Sequence, residues 1–296
     1  MRLRALFLNT ELWLAGSILT AFVFPYFGDY LESIIIYLLI LLMAVSMRDV
    51  RIGDLSLDHW RTIGRMILVN YGLFTLTLLT LAYIFVPPDH RPALILLALM
   101  PPAVGVVSLT SIFDGDLDLT IVVEIFSYIV GLLIIPLGTY FLFSTTVSVW
   151  RIIQTVLTLL VLPFALSRII YWFNTSVKRI PDDTTKIVFN VIYFFSFYTV
   201  IALQRNELLA QPAIVATIGI LLIVTRIGLA AGIFHALKHR MRRSWDIDYM
   251  LFGSFKNGGA ALGFTLLLFG TEALLPLAIN GLIVPLQVMF LDWMVD

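Results

Sequence analysis

Two cations, Lys256 and Arg226, and one carboxylate, Glu124, stand inside stretches of sequence apolar enough to cross a bilayer. A charge at the centre of a membrane helix costs a few kcal/mol unless it is paired or faces the protein interior. Such residues therefore mark places where a chain binds, moves or holds something. Lys256 lies in FGSFKNGGAALGF, Phe252 to Phe264, beside Asn257 and between Gly253 and the pair Gly258 and Gly259. Two readings are open. The ammonium can snorkel toward the headgroups, over about eight residues or roughly 12 Å of helix. Alternatively it serves a site where the glycines weaken the helix and Asn257 adds donors and an acceptor. An unwound helix here presents free amides at the start of its second half, which suits an anion.

A second interrupted stretch reads MPPAVGVVSLTSIFDGDLD. Pro101 and Pro102 remove backbone donors, and Gly105, Ser108, Thr110 and Ser111 follow as a small polar face. A kinked helix packed through small residues gives the same pattern. Asp114, Asp116 and Asp118 then read as a solvated cytoplasmic turn. Glu124, Ser127, Tyr128 and Gly131 share one helical face, which must point into the protein because lipid does not solvate a carboxylate. Arg226, beside Thr225, is the other buried cation. Pairing satisfies Glu124 and leaves one cation over, hence a net positive site for an anionic ligand.

Enzymatic chemistry is poorly supplied. An aspartyl dyad needs two carboxylates sharing a proton, and the aspartates around Asp116 cluster at one turn with no second intramembrane aspartate expected. The serines have no nearby histidine except His235 near a helix end. The histidines are scattered and there is no cysteine, so no zinc motif, thiolate metal site, disulfide or cofactor is expected. Zero net charge gives no basic footprint for nucleic acid.

The elements that carry these residues are membrane helices. The 296 residues are 60% hydrophobic and 13% charged, and the mean hydropathy is +0.99, values of an integral membrane protein. Ten apolar runs are expected to be helices, near 11–27, 31–47, 63–86, 92–112, 119–143, 150–172, 186–203, 211–237, 248–270 and 274–294. The basic, then apolar amino terminus reads as a retained first helix. The fourth run is broken at Pro101-Pro102, and the ninth at Gly253 and Gly258-Gly259. With both termini on one side, that side collects Arg2, Arg4, Arg48, Arg51, Arg61, Arg65, Arg168, Lys178, Arg179, Lys186, Lys238, Arg240, Arg242 and Arg243. The other side has only Arg91, Arg151 and Arg205, which puts both termini in the cytoplasm. Two sets of five helices, about 1–145 and 146–296, enter the membrane in opposite orientation, with the interruption in corresponding members, as in a transporter whose site lies between inverted repeats.

Ten runs, the loop MRDVRIGDLSLDHWR, the proline-led fourth run closing on Gly115-Asp116, and RRSWDIDYMLFGSFKNGGAALG leading to LLPLAINGLIVP are together similar to the bile acid:sodium symporter family, within the group that also holds arsenite exporters. The resemblance implies an all-α transporter in a single domain, 1–296. It implies a core of helices over 63–143 and 211–294, in which broken helices four and nine cross, beside a panel over 11–47 and 150–203. It also implies alternating access. The family's ninth helix carries a glutamate and then Gln-Asn; here Phe252 stands at the glutamate, Lys256 at the glutamine, and Asn257 keeps the asparagine. The family's Ser-Asn pair of helix four falls at Val106 and Val107, a hydroxyl of helix five becomes Glu124, and a neighbouring serine is kept as Thr120. A hard cation finds nothing in Val or Phe side chains, so both sodium sites lose most of their ligands.

The expectation is a secondary transporter of a small organic anion, a carboxylate or sulfonate, in a prokaryotic cytoplasmic membrane with lipid around it. Lys256 is expected to be a fixed charge in place of sodium, with Glu124 as partner. Lys256 and Asn257 contact the anion or stabilise the crossing, Arg226 is a second contact, and Ser108, Thr110 and Thr120 line the cavity. Coupling is to protons through Glu124 and Lys256, or absent. The alternatives are a proton or cation exchanger using the same two residues, a sodium-coupled symporter with unconventional sites, and a receptor that binds without flux.

Overall fold

The computed structural model describes residues 8–47, 59–103, 105–143, 146–176, 181–238 and 242–295. Arg2, Arg4, Arg48, Arg51, Lys178, Arg179 and Arg240, and positions 48–58 of the first long loop, lie outside them. Among the described residues the chain is helical, without strands. The helices are α1 (Thr10–Val23), α2 (Ile35–Ser46), α3 (Trp60–Phe85), α4a (Arg91–Leu99), α4b (Gly105–Ile112) and α5 (Leu117–Phe143). They continue as α6 (Val149–Thr175), α7 (Asp182–Ala210), α8 (Pro212–Leu237), α9a (Arg243–Phe252), α9b (Gly258–Phe269) and α10 (Leu275–Val295). Six of these, α3, α5, α6, α7, α8 and α10, are long and apolar enough to cross a membrane. Helices satisfy every backbone group internally, which is what a hydrocarbon solvent demands.

The interruptions fall where the proline and glycine content places them. α4a ends at Leu99 and α4b begins at Gly105, across Pro101-Pro102. α9a ends at Phe252 and α9b begins at Gly258. Gly258 and Gly259 are thus the first turn of the second half rather than the gap itself, and Asn257 is its N-cap, its Oδ1 accepting from the Ala260 amide at 2.9 Å. Segments of π-helix occur within α3 (Val69–Phe74), α6 (Leu157–Val161) and α8 (Val224–Gly228). Such bulges rotate the following turn and are frequent at functional sites.

α1 and α2 lie against α7, and α6 lies against α2. α3, α4a, α5, α8, α9a, α9b and α10 pack among themselves, α9b against α4a and α9a against α4b. α9b also touches α2 and α6, and α10 touches α7.

Arginines finish several helix ends. Arg205 donates to the Phe22 carbonyl at the end of α1, Arg91 to Val86 after α3, Arg151 to Leu267 near the end of α9b, Arg168 to Met47 after α2, and Arg243 to Val295 at the end of α10. These are the last carbonyls, which have no partner within their own helices and carry the negative end of the dipole.

Gly253 is the close approach on which the α9 break packs. A Cβ there would lie 2.2 Å from Ile233 Cδ1, 2.9 Å from Val69 Cγ1 and 3.0 Å from the Tyr249 carbonyl. Gly253→Ala should therefore destabilise the fold by about 1–3 kcal/mol through overpacking, seen as a lower melting temperature in detergent. Wild-type melting of this variant would show that α8 and α3 do not close on the break.

Candidate functional site

The site grows from what the two breaks leave undone. In a helix each carbonyl receives the amide four residues on. Pro102 has no N–H for Ala98, and the Ala98 carbonyl takes instead the Thr75 hydroxyl at 2.7 Å. The Met100 carbonyl receives the Lys256 ammonium at 2.8 Å, and the Pro101 carbonyl receives the backbone amide of Asn257 at 2.8 Å. At the α9 break, the Phe252 and Phe255 carbonyls both receive the Asn70 side-chain amide, at 2.6 and 3.3 Å. The Ser254 carbonyl receives Gln287 Nε2 at 3.3 Å. Six carbonyls of the two breaks, Ala98, Met100, Pro101, Phe252, Ser254 and Phe255, are thus met by donors from α3, α10 and the opposite break.

Lys256 is 1% exposed. Its ammonium also donates to Asn70 Oδ1 at 2.8 Å and, weakly, to Thr75 Oγ1 at 3.4 Å, and it stands 4.5 Å from the centroid of the Tyr71 ring and 5.5 Å from that of Phe74. An ammonium has three N–H donors, and all three are spent on protein oxygens. The surroundings are those of a bound cation: a carbonyl at the negative end of α4a, an amide and a hydroxyl oxygen from α3, and two aromatic faces. Snorkelling to the headgroups is ruled out by this burial and by these bonds.

The pairing of Glu124 with Lys256 is not made. Glu124 is 2% exposed, and neither carboxyl oxygen has a hydrogen-bond partner; the Ser127 hydroxyl one turn on is likewise unpartnered. Glu124 lies near enough to Tyr71 and Tyr128 to act on their hydroxyls electrostatically. Tyr71 donates to the Ser127 carbonyl at 2.8 Å, and Tyr128 accepts from Asn257 Nδ2 at 2.6 Å. The face Glu124, Ser127, Tyr128, Gly131 does point inward, but toward the aromatic hydroxyls rather than the ammonium.

Arg226, also 1% exposed, lies in the π-segment of α8 and donates through Nε to Gln287 Oε1 at 2.8 Å and through Nη1 to Asn280 Oδ1 at 2.9 Å. Its guanidinium lies 5.5 Å from the Phe255 ring centroid. Among the described residues neither buried cation has a carboxylate partner; both are held by neutral oxygens and aromatic faces. Gln287 links Arg226 to the Ser254 carbonyl and Asn70 links Lys256 to the next carbonyl, that of Phe255, so both cations are tied to neighbouring carbonyls of the α9 break.

The remaining expected cavity residues separate. Ser108 is exposed on α4b, as are Gly105 and Ser111. Thr110 and Thr120 are fully buried and lie 3.1 Å apart, oxygen to oxygen. Both hydroxyls face the Asp248 carboxylate, which accepts from the Asp116 amide at 3.1 and 3.2 Å. They belong to a structural knot rather than a cavity wall. Asp116, expected in a solvated turn, is tied by Trp245 Nε1 at 3.1 Å and by the Leu119 amide. Asp248 is a buried aspartate that sequence reasoning overlooked; RRSWDIDYM placed it at the start of an apolar run, which was the available signal. Asn70, Thr75, Asn280 and Gln287 were missed as well. They lie two to a helix, Asn70 and Thr75 in α3 and Asn280 and Gln287 in α10, as polar residues in apolar sequence, and that was their only sequence mark.

A family model described as the Sodium Bile acid symporter family matches residues 33–211, a stretch running from α2 through α7 and ending before α8. No curated protein matches the chain.

Removing Asn70 strands the ammonium and two carbonyls together. Asn70→Leu should lower stability by about 2–4 kcal/mol. Lys256→Met should cost less in the Asn70→Leu background than in the wild type, a coupling resolved by a double-mutant cycle of unfolding in mixed micelles. Additive effects would mean that the 2.8 Å contact contributes nothing to stability.

Proposed function

Because the chain belongs to the sodium bile acid symporter family, a family of transporters rather than enzymes, we propose that it carries a small organic anion across a membrane by alternating access, with the Lys256 ammonium standing permanently where a mobile cation would otherwise bind. The observation that carries this reading is the set of oxygens around Nζ: Asn70 Oδ1, the Met100 carbonyl and Thr75 Oγ1, gathered from α3 and the α4 break around a charge that belongs to α9. These are ligands suited to a hard monovalent cation, and the chain supplies that cation itself. The crossing is then closed without an ion from solution, and transport needs no sodium.

The repeat organisation supports the same reading. α3 and α8 each carry a π-segment, α4 and α9 are each broken, and α5 and α10 each contain a proline, Pro136 and Pro285. Three features in the same order on both halves are what two inverted five-helix repeats would carry. The packing of α1, α2, α6 and α7 beside the other helices fits a panel and a core that move against one another.

A second reading, proton coupling, rests on Glu124 alone: a buried carboxyl with two unpartnered oxygens is a group whose proton can be exchanged when the core is opened to water. Glu124→Gln separates the two, abolishing acid-driven uptake if Glu124 carries the proton and leaving it intact otherwise.

Reconstituted into liposomes, the wild type should take up a carboxylate from a panel running from acetate to cholate at the same rate in sodium and in N-methylglucamine medium. In Lys256→Ala the oxygen cage is empty, and sodium or potassium should now raise the melting temperature, by an amount that grows with salt concentration as RT ln(1 + [L]/Kd). Uptake by the wild type that requires sodium would end the fixed-charge reading.

A further inference from the structure

The two buried cations have different amounts of bonding capacity left, and this assigns them different work. Lys256 has spent its three donors on the crossing. Arg226 has five N–H donors, and among the described residues only Nε and Nη1 are engaged, both by neutral side-chain oxygens. Nη2 donates to none. Asn280 accepts from Arg226 through Oδ1, while its Nδ2 donates to no described residue, although the side chain is 4% exposed. That Nδ2 lies 3.0 Å from the point where a Cβ on Gly258 would stand. The unpaired amide is therefore directed at the first turn of α9b, a helix of twelve residues whose Gly258 and Gly259 are partly exposed and carry no side chain to block approach. Asn257 caps the amide of Ala260, while the Gly258 and Gly259 amides, the first two of the helix, have no acceptor in a preceding turn. A guanidinium held by the Asn280 carboxamide, and that carboxamide's own N–H at the first turn of α9b, thus bring donors together, while the acceptors beside them, Asn280 Oδ1 and Asn257 Oδ1, are already engaged.

We propose that Arg226 and Asn280, with the α9b amino terminus, form the charge-recognising subsite for the anionic group of the transported solute, and that this group is a planar carboxylate. The reasoning rests on the organic-anion reading above and sharpens it. Gln287 and Phe255 hold the guanidinium in place, Gln287 by the hydrogen bond to Nε and Phe255 through its ring face. A fixed guanidinium offers parallel donors that match a carboxylate and not a neutral amide. Lys256 takes no part in contacting the solute.

The test is binding to the purified protein, measured by thermal shift over the acetate-to-cholate panel with each carboxylate set beside its primary amide. At least one carboxylate should stabilise the wild type while its amide does not. Arg226→Lys should weaken that carboxylate at least tenfold. Asn280→Asp keeps the shape of the side chain and places a carboxylate against the guanidinium, so it should keep the fold, raise the melting temperature and abolish binding. Absence of any carboxylate-specific stabilisation, or wild-type affinity in Asn280→Asp, would overturn the subsite. Failure of the transport reading shows itself differently. Carboxylate binding that depends on Arg226 but produces no flux in liposomes would leave the subsite standing and remove the transporter, whereas flux that persists in Asn280→Asp would do the reverse.

Discussion

The rest of the structure depends on one constraint: two helices are cut in the middle of an apolar bundle, and every carbonyl the cuts release has to be met by a donor. In hydrocarbon an unmet backbone group costs several kcal/mol, so the donors cannot be left to water. The Lys256 ammonium, the Asn70 and Gln287 amides, the Thr75 hydroxyl and the Asn257 backbone amide meet that demand. A charge meets it twice over, because the free carbonyls of α4a and α9a are also the negative ends of their helix dipoles. The cost of burying an ammonium is thus offset where it is placed, without any carboxylate.

This separation of cations from carboxylates shapes what the core can do. An ion pair between Glu124 and Lys256 would have neutralised both and left a site indifferent to charge. Instead Lys256 is satisfied by dipoles, Arg226 by the neutral oxygens of Asn280 and Gln287, and Glu124 stands apart near two tyrosines. The positive charge beside the crossing is therefore unopposed from within the protein, which is the electrostatic condition for receiving an anion. The tie of Asp248 to the Asp116 amide and the Thr110–Thr120 contact secure the α4b–α5 turn against α9a, away from these charges.

The sequence showed the order of the helices and the location of the breaks because these are local properties: apolar length, a proline pair, a glycine cluster. It also singled out Lys256, Arg226 and Glu124, since a charge in an apolar run is conspicuous. Their partners were another matter. Counting charges paired Glu124 with Lys256, whereas the folded chain chose an asparagine 186 residues away and a carbonyl at the end of α4a. A released carbonyl leaves no mark in composition, and a lone asparagine in VNYGLF reads like any other polar residue. Thr110 and Thr120 were assigned to a cavity wall, because nothing local announces that Asp248 on α9a faces both hydroxyls.

The bond from Asn70 to Lys256 spans most of the chain, and Arg205 reaches back 183 residues to the end of α1. During synthesis, α3 and α4a are complete long before the residue that fills the gap between them exists. Until α9 emerges, the Met100 carbonyl has no ammonium to meet, and the end of α1 waits in the same way for α7. The contacts that close the α4 break thus depend on a residue that the chain supplies 156 positions later.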